Sequence, residues 1–174
     1  MRFNKEKFSG IRVIHLQSFN DERGQFFRVF CQKEFLKKKI NFRIAQINIS
    51  FNPKKGTLRG LHYQKNLSAE DKTIICRKGK IFFVAVNINK NSKNYLKCFT
   101  YILSSKKNVI INIKKGFATG FLTLEKNSEI LYLMSNFYNK SSSLGINYKS
   151  DKININWPIK PRIISKKDRS LPSS

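Results

Sequence analysis

The chain has 174 residues, 40% of them hydrophobic and 13% aromatic, which suits one globular domain spanning 1–174 with a sizeable core and excludes a disordered chain. Its formal net charge of +25 would suit a polyanionic partner such as nucleic acid. The 26 lysines and nine arginines, however, lie in scattered pairs and triples, and no zinc-finger, RRM or helix-turn-helix pattern occurs, so the charge reads as a nonspecific basic surface that attracts nucleoside diphosphates, with no nucleic acid as partner.

Met1-Arg2-Phe3-Asn4-Lys5-Glu6 leads into no signal-like apolar block, and no apolar run approaches the roughly 18 residues of a membrane span. The expectation is a cytoplasmic protein without membrane contact. Short apolar or alternating runs then follow at 11–15, 25–30, 43–51, 58–63, 73–77, 81–88, 97–103, 109–113, 117–122 and 130–134, and they read as strands. Turn-like punctuation separates them at Asn20-Asp21, Asn52-Pro53-Lys54-Lys55-Gly56, Lys78-Gly79, Asn91-Ser92, Ser104-Ser105 and Lys126-Asn127-Ser128. Residues 33–39, with Phe35 and Leu36 among lysines, form the best helix candidate and are too short to organise a fold. Many short strands without repeat or linker predict an all-β sandwich or barrel, whose interior can hold a ligand. Cys31, Cys76 and Cys98 are odd in number and widely spaced, so reduced, buried thiols are expected rather than disulfides or a Cys-x-x-Cys metal site.

The chain has only two histidines. His62 lies in Leu58-Arg59-Gly60-Leu61-His62-Tyr63-Gln64, with Lys72 ten residues later. In a regular strand Gly60, His62 and Gln64 share one face and Leu61 and Tyr63 the other. That spacing fits a hydrogen-bonded core histidine as well as a catalytic base. Arg59, three residues before His62, falls on the opposite face unless Gly60 introduces a bulge or twist. His15 and His62 with no His-x-His are too few for a histidine-rich metal centre, so no metal is expected.

Separated matches along nearly the whole chain carry a resemblance. They begin with Asp21-Glu22-Arg23-Gly24 followed by Phe26-Phe27, then Gln46-Ile47-Asn48, and then Gly56-Thr57-Leu58-Arg59-Gly60-Leu61-His62-Tyr63-Gln64. Residues 72–79, Val84-Ala85-Val86 and Gly116-Phe117-Ala118-Thr119-Gly120-Phe121 come next. Tyr132, Asn136 and Tyr138, then Trp157-Pro158, and finally Ser165-Lys166-Lys167-Asp168 complete the set. In this order the segments resemble the dTDP-4-dehydrorhamnose 3,5-epimerases, nucleotide-sugar epimerases that make deoxysugar precursors.

The resemblance implies a cupin-type jelly roll (double-stranded β-helix) with a few short helices. It also implies a homodimer in which N-terminal strand residues reach the partner's site. The substrate would be a dTDP-linked 4-keto-6-deoxy sugar, inverted at C3, C5 or both without a cofactor. The protons beside a ketone can be removed by a base to give an enolate, and reprotonation from the opposite face inverts the carbon. On this reading His62 is the base, Asp168 orients it, Lys72 stabilises the enolate oxygen and Tyr132 returns the proton. Tyr138 would stack on the thymine. Arg23, Arg59 and Lys167 would contact the substrate and its diphosphate, with Gln46, Asn48 and Thr119 as further binding residues.

Four departures from the family pattern stand out. Phe83 occupies a usual aspartate position, Thr119 a usual histidine position, and Arg28 and Ser143 replace glutamates. These changes around a retained His62, Lys72, Tyr132 and Asp168 imply an altered sugar, inversion at one carbon only, or a degenerate member. Two other classes also fit the sequence: a noncatalytic cupin-like nucleotide-sugar-binding protein, and a basic nucleic-acid-binding β-barrel.

Overall fold

In the computed structural model, which describes residues 1–4 and 8–173, almost every apolar run of the sequence becomes a strand. Lys5 and Glu6, from the N-terminal hexapeptide, lie outside the described residues. The strands are β1 (Arg2–Phe3), β2 (Ile11–His15), β3 (Ser18–Asp21), β4 (Gly24–Phe27), β5 (Gln46–Asn52), β6 (Thr57–Gln64) and β7 (Lys72–Lys78). They continue with β8 (Lys80–Asn87), β9 (Cys98–Ser104), β10 (Val109–Ile113), β11 (Phe117–Thr123), β12 (Ser128–Met134), β13 (Ser143–Gly145) and β14 (Ile163–Ile164). The α-helices are α1 (Gln32–Lys37) and α2 (Lys166–Arg169). Among the described residues no helix is long and apolar enough to cross a membrane.

Two sheets face each other. One has the order β1-β2-β10-β7-β12-β5, the other β13-β6-β11-β8-β9, while β3 and β4 form a separate hairpin. This is a cupin-like jelly roll. Ile74, Ile81, Phe83, Ile111, Phe121 and Ile130 belong to the largest buried cluster, which explains why their strands read as apolar. A second cluster packs Phe35 of α1 with Phe42 against Ile14, Ile75 and Ile110. Strand β10 is buried along its whole length, so it is apolar throughout except at Asn112, whose amide donates to Thr73 Oγ1 at 2.9 Å.

The structure departs from the sequence reading in local ways. The run at 25–30 pairs only as far as Phe27, because Val29 and Phe30 turn in to pack beside Phe35. Helix α1 stops at Lys37, and Lys39 adopts a positive φ of 57° that no longer continues it. Cys76 is buried, but Cys31 and Cys98 are only partly so, since one caps α1 and the other opens the edge strand β9. Burial pushes the Cys76 and Cys98 thiols up to about 11.

The decisive irregularity lies in β6. Opposite β11, His62 pairs with Thr119 and Arg59 with Phe121, so Gly60 and Leu61 together face the single residue Gly120. This is a bulge, and it cancels the simple alternation expected from the sequence. Gly60 has φ +123°, and a Cβ there would lie 2.6 Å from Gly120 Cα, so only glycine fits. The outer edge of β6 is paired with β14 at Thr57 and Leu58 and with β13 from His62 to Gln64. Between those segments the Gly60 N–H donates to Asp168 Oδ2 at 3.1 Å. Asp168 sits in α2, the Ser165 hydroxyl accepting from its backbone N–H as an N-cap.

Burial alone would raise the Asp168 pKa, but the His62 hydrogen bond and charge, the Gly60 N–H and Ser165 outweigh it and hold the carboxyl below its ordinary 3.8. A depressed carboxylate stabilises the fold above its unfolded pKa, and that stability disappears as pH falls through the folded value. At pH 7 Asp168→Asn is expected to be about 2 kcal/mol less stable than wild type in urea unfolding. The gap should close as the pH drops through and below 3.8. A gap that stays unchanged as the solution is acidified well below 3.8 would contradict this account of α2 docking.

Candidate active site

Between the sheets lies a cavity of about 690 Å³, walled by β5, β6, β7, β11 and β12 and closed at one side by α2. Its volume suits a ligand of small-molecule size. His62, Lys72, Tyr132 and Asp168 all line it. So do Gln46, Asn48, Arg59 and Thr119, together with Tyr138 and Lys167. The β6 bulge is what puts Arg59 and His62 on the same cavity, resolving the conflict that strand alternation posed.

Arg23 is the exception. It sits in the turn of the β3–β4 hairpin, outside this cavity, where its guanidinium pairs with Asp21. The hairpin pairs with neither large sheet, so Arg23, expected as a substrate contact, does not line the cavity of its own chain. Arg28 also lies elsewhere, 3.4 Å from Glu34 of α1.

The His62 imidazole, 40% exposed, has Nε2 at 2.8 Å from Asp168 Oδ1. An ionised carboxylate only accepts hydrogen bonds, so Nε2 carries the proton and the neutral ring keeps its lone pair on Nδ1. The bond therefore selects one tautomer. It also gives the ring a negative partner that would stabilise an imidazolium.

Lys72 opens β7 with its side chain 9% exposed, and Glu70 beside it is 3% exposed. The ammonium lies 3.1 Å from Glu70 Oε1 and donates to Thr119 Oγ1 at 3.1 Å and to the His62 carbonyl at 3.3 Å. Burial pulls the Lys72 pKa down, and the Glu70 charge and hydrogen bond oppose it. Tyr132 on β12 is partly buried, packed against the main core cluster; desolvation there pushes its phenol far above the ordinary 10.0, with Arg59 acting in the other direction. The phenol is thus a proton donor at neutral pH. Arg59 is fixed by its Nε, which donates to Asn52 Oδ1 at 2.9 Å.

Tyr138 is exposed, and its backbone N–H donates to Gln46 Oε1 at 2.8 Å, while Gln46 Nε2 donates to Asn48 Oδ1. Gln46 therefore serves as the anchor of the Tyr138 segment. Phe83 is buried and lines the cavity, as does Ser143. Among the described residues no group of three His, Cys, Asp or Glu is placed to hold a metal ion.

Sequence reasoning passed over Glu70, Gln64 and Asn52 as functional residues. Glu70 stands two positions from Lys72, the spacing at which extended chain returns to the same side, so the pair was detectable in principle. Asn52 and Gln64 act through hydrogen bonds across strands that no local pattern reveals.

The family model described as dTDP-4-dehydrorhamnose 3,5-epimerase matches residues 5–174. A protein of that name from Shigella flexneri is 37% identical over 171 residues, covering 97% of this chain and 93% of its own. Another from Sinorhizobium fredii is 33% identical over 174 residues, covering 99% and 89%. A solved dTDP-4-dehydrorhamnose 3,5-epimerase from Bacillus anthracis, with TDP and PPi bound, has a TM-score of 0.95 at 31% identity and 98% coverage of both chains. The dTDP-6-deoxy-D-glucose-3,5-epimerase of Legionella pneumophila, in complex with dTDP-4-keto-L-rhamnose, gives 0.93 at 30% identity, covering 98% and 91%. Likeness of this extent in sequence and backbone, over almost the whole length, means that the chain belongs to the dTDP-4-dehydrorhamnose 3,5-epimerase family.

Proposed function

We propose that the protein is a nucleotide-sugar epimerase that inverts C3, C5 or both of a dTDP-linked 4-keto-6-deoxyhexose in rhamnose-type precursor synthesis. One observation carries the reading: a histidine whose tautomer is set by a buried carboxylate shares a cavity with a buried ammonium and a phenol held in its protonated form. His62 Nδ1 removes the proton beside the ketone, and the electron pair moves onto the carbonyl oxygen as an enolate. Lys72 stabilises that oxygen, a cation being most effective where water is excluded. The Tyr132 phenol delivers a proton to the carbon from the opposite face, and exchange with solvent returns both groups to their starting state. No electron leaves the substrate, so the chemistry calls for no redox cofactor.

Arg59 and Lys167 suit the diphosphate, and the Tyr138 ring the thymine face. The relatives solved with TDP or a dTDP-sugar support that class of ligand. Phe83 and Thr119 make the wall near the base less charged than the family pattern, which favours a sugar with fewer polar demands there or a single inverted carbon.

We further infer a homodimer in a reducing compartment such as the cytoplasm, with 1–174 acting as one unit. Three unpaired cysteines suit such a compartment. Supporting the dimer, β5 turns Gln46, Asn48 and Ser50 to the cavity and leaves Ile47, Ile49 and Phe51 exposed. The detached β3–β4 hairpin exposes Phe19 and Phe26 as well. A second copy would cover both and could receive Arg23 at its site.

Incubating a dTDP-4-keto-6-deoxyhexose with the enzyme in deuterated water and following C3 and C5 by NMR tests the catalytic reading. Wild type should incorporate deuterium, and His62→Ala should slow uptake by about 10²- to 10⁴-fold. Tyr132→Phe should still exchange label while losing inversion. Wild type that binds the sugar without exchange would mark a noncatalytic binding protein. In sedimentation equilibrium wild type should be a dimer, and Ile49→Asp a monomer with a KM raised about 10-fold; monomeric wild type would refute the shared interface.

A further inference from the structure

We propose that Glu70 is a positioning residue of this site: its carboxylate holds the Lys72 ammonium in place and, through Gln64, ties it to the segment that carries Tyr138. The inference rests on the epimerase reading and deepens it. Glu70 lies just before β7, and its two oxygens divide their work. Oε1 meets Lys72 Nζ at 3.1 Å, and Oε2 accepts from Gln64 Nε2 at 2.8 Å. The Gln64 amide also donates to the Phe137 carbonyl at 3.0 Å, while its Oε1 accepts from the Asn139 N–H at 2.6 Å. Tyr138 is therefore gripped on both sides by the same glutamine. A chain of direct contacts runs from the cation assigned to the enolate to the platform assigned to the base.

A buried ammonium needs a charged partner to stay ionised. Asp168 is committed to His62, and β8 presents the aromatic Phe83 to the cavity. That leaves Glu70 as the carboxylate on Lys72. The three donors of the ammonium reach Glu70, the His62 carbonyl and Thr119 Oγ1. Two of these acceptors are neutral. A substrate oxygen can displace a neutral one while the ion pair persists, so Lys72 keeps both its charge and its direction as the enolate forms.

Other groups around Lys72 are His62 from β6 and Thr119 from β11, while its register partners are the apolar Ile113 on β10 and Met134 on β12; Tyr132 and Arg59 line the same cavity. The Tyr132 phenol is held far above neutrality by burial, with Arg59 opposing. The alkaline limb of activity therefore reports on Lys72. Removing the Glu70 charge takes away what opposes the effect of burial, so the ammonium deprotonates at lower pH.

The test compares wild type, Glu70→Gln and Glu70→Asp, using deuterium uptake by a dTDP-4-keto-6-deoxyhexose across pH, with dTDP binding by calorimetry on each. Glu70→Gln, which can still accept from Gln64, should bind dTDP as wild type does. Its kcat should fall about 10-fold or more, and the alkaline limb of kcat/KM should move to lower pH. Glu70→Asp, which restores the charge on a shorter arm, should bring that limb back towards wild type. If wild type exchanges label and Glu70→Gln matches it in kcat and in pH profile, the inference is overturned while the epimerase reading stands. If wild type exchanges nothing, that reading falls and this inference with it.

Discussion

The site depends on one buried carboxylate. Asp168 accepts from the Gly60 N–H with one oxygen and from the His62 ring with the other. A carboxylate removed from water is costly unless its oxygens are satisfied, and here the partners that satisfy it are parts of the proposed catalytic arrangement. The same contact docks α2, fills the gap in the β6 edge between β13 and β14, and fixes the ring. A change that frees the C-terminal turn disturbs the backbone bulge and the imidazole together.

Around this contact the cavity is organised as a hydrogen-bonded histidine–carboxylate pair and one ion pair, with a phenol between the sheets. His62 is paired with Asp168 on the β6 side, and Lys72 with Glu70 on the β7 side. In the proposed mechanism each carboxylate would serve a different step: one would stabilise the imidazolium formed when the base takes a proton, the other would preserve a cation for the oxygen that becomes negative. Tyr132 needs no partner of this kind, because a phenol is protonated at neutral pH and desolvation here strengthens its hold on the proton. The proposed acid and base are thus separated by environment as well as by residue type, as removal and return of protons at one pH would require.

How much of this was legible in the sequence varied with the range of the interactions. The run at 109–113 matched β10 at both ends, because a strand buried on both faces is mostly apolar, here interrupted only by Asn112, and is bounded by polar residues. The one-turn helix α2 and the pairs β13 and β14 went unseen. They are too short for periodicity to register, and a Lys-Lys-Asp-Arg stretch looks like a solvated tail until a strand edge needs its carboxylate. His62 stood out by type and rarity, and the retained segments pointed to its partners. Strand alternation misplaced Arg59, because a bulge depends on the close approach of Gly60 to Gly120 across two strands. Arg23 could not be placed from order alone, since its hairpin joins neither large sheet.

The tautomer of His62 tests the central claim most directly. With imidazole-nitrogen-labelled protein near neutral pH, nitrogen NMR should show a protonated Nε2 and an unprotonated Nδ1 on the neutral ring, as the 2.8 Å contact to Asp168 requires. A neutral ring protonated on Nδ1 would mean that Asp168 does not orient the base, and the coupling of chain end, bulge and imidazole would be wrong.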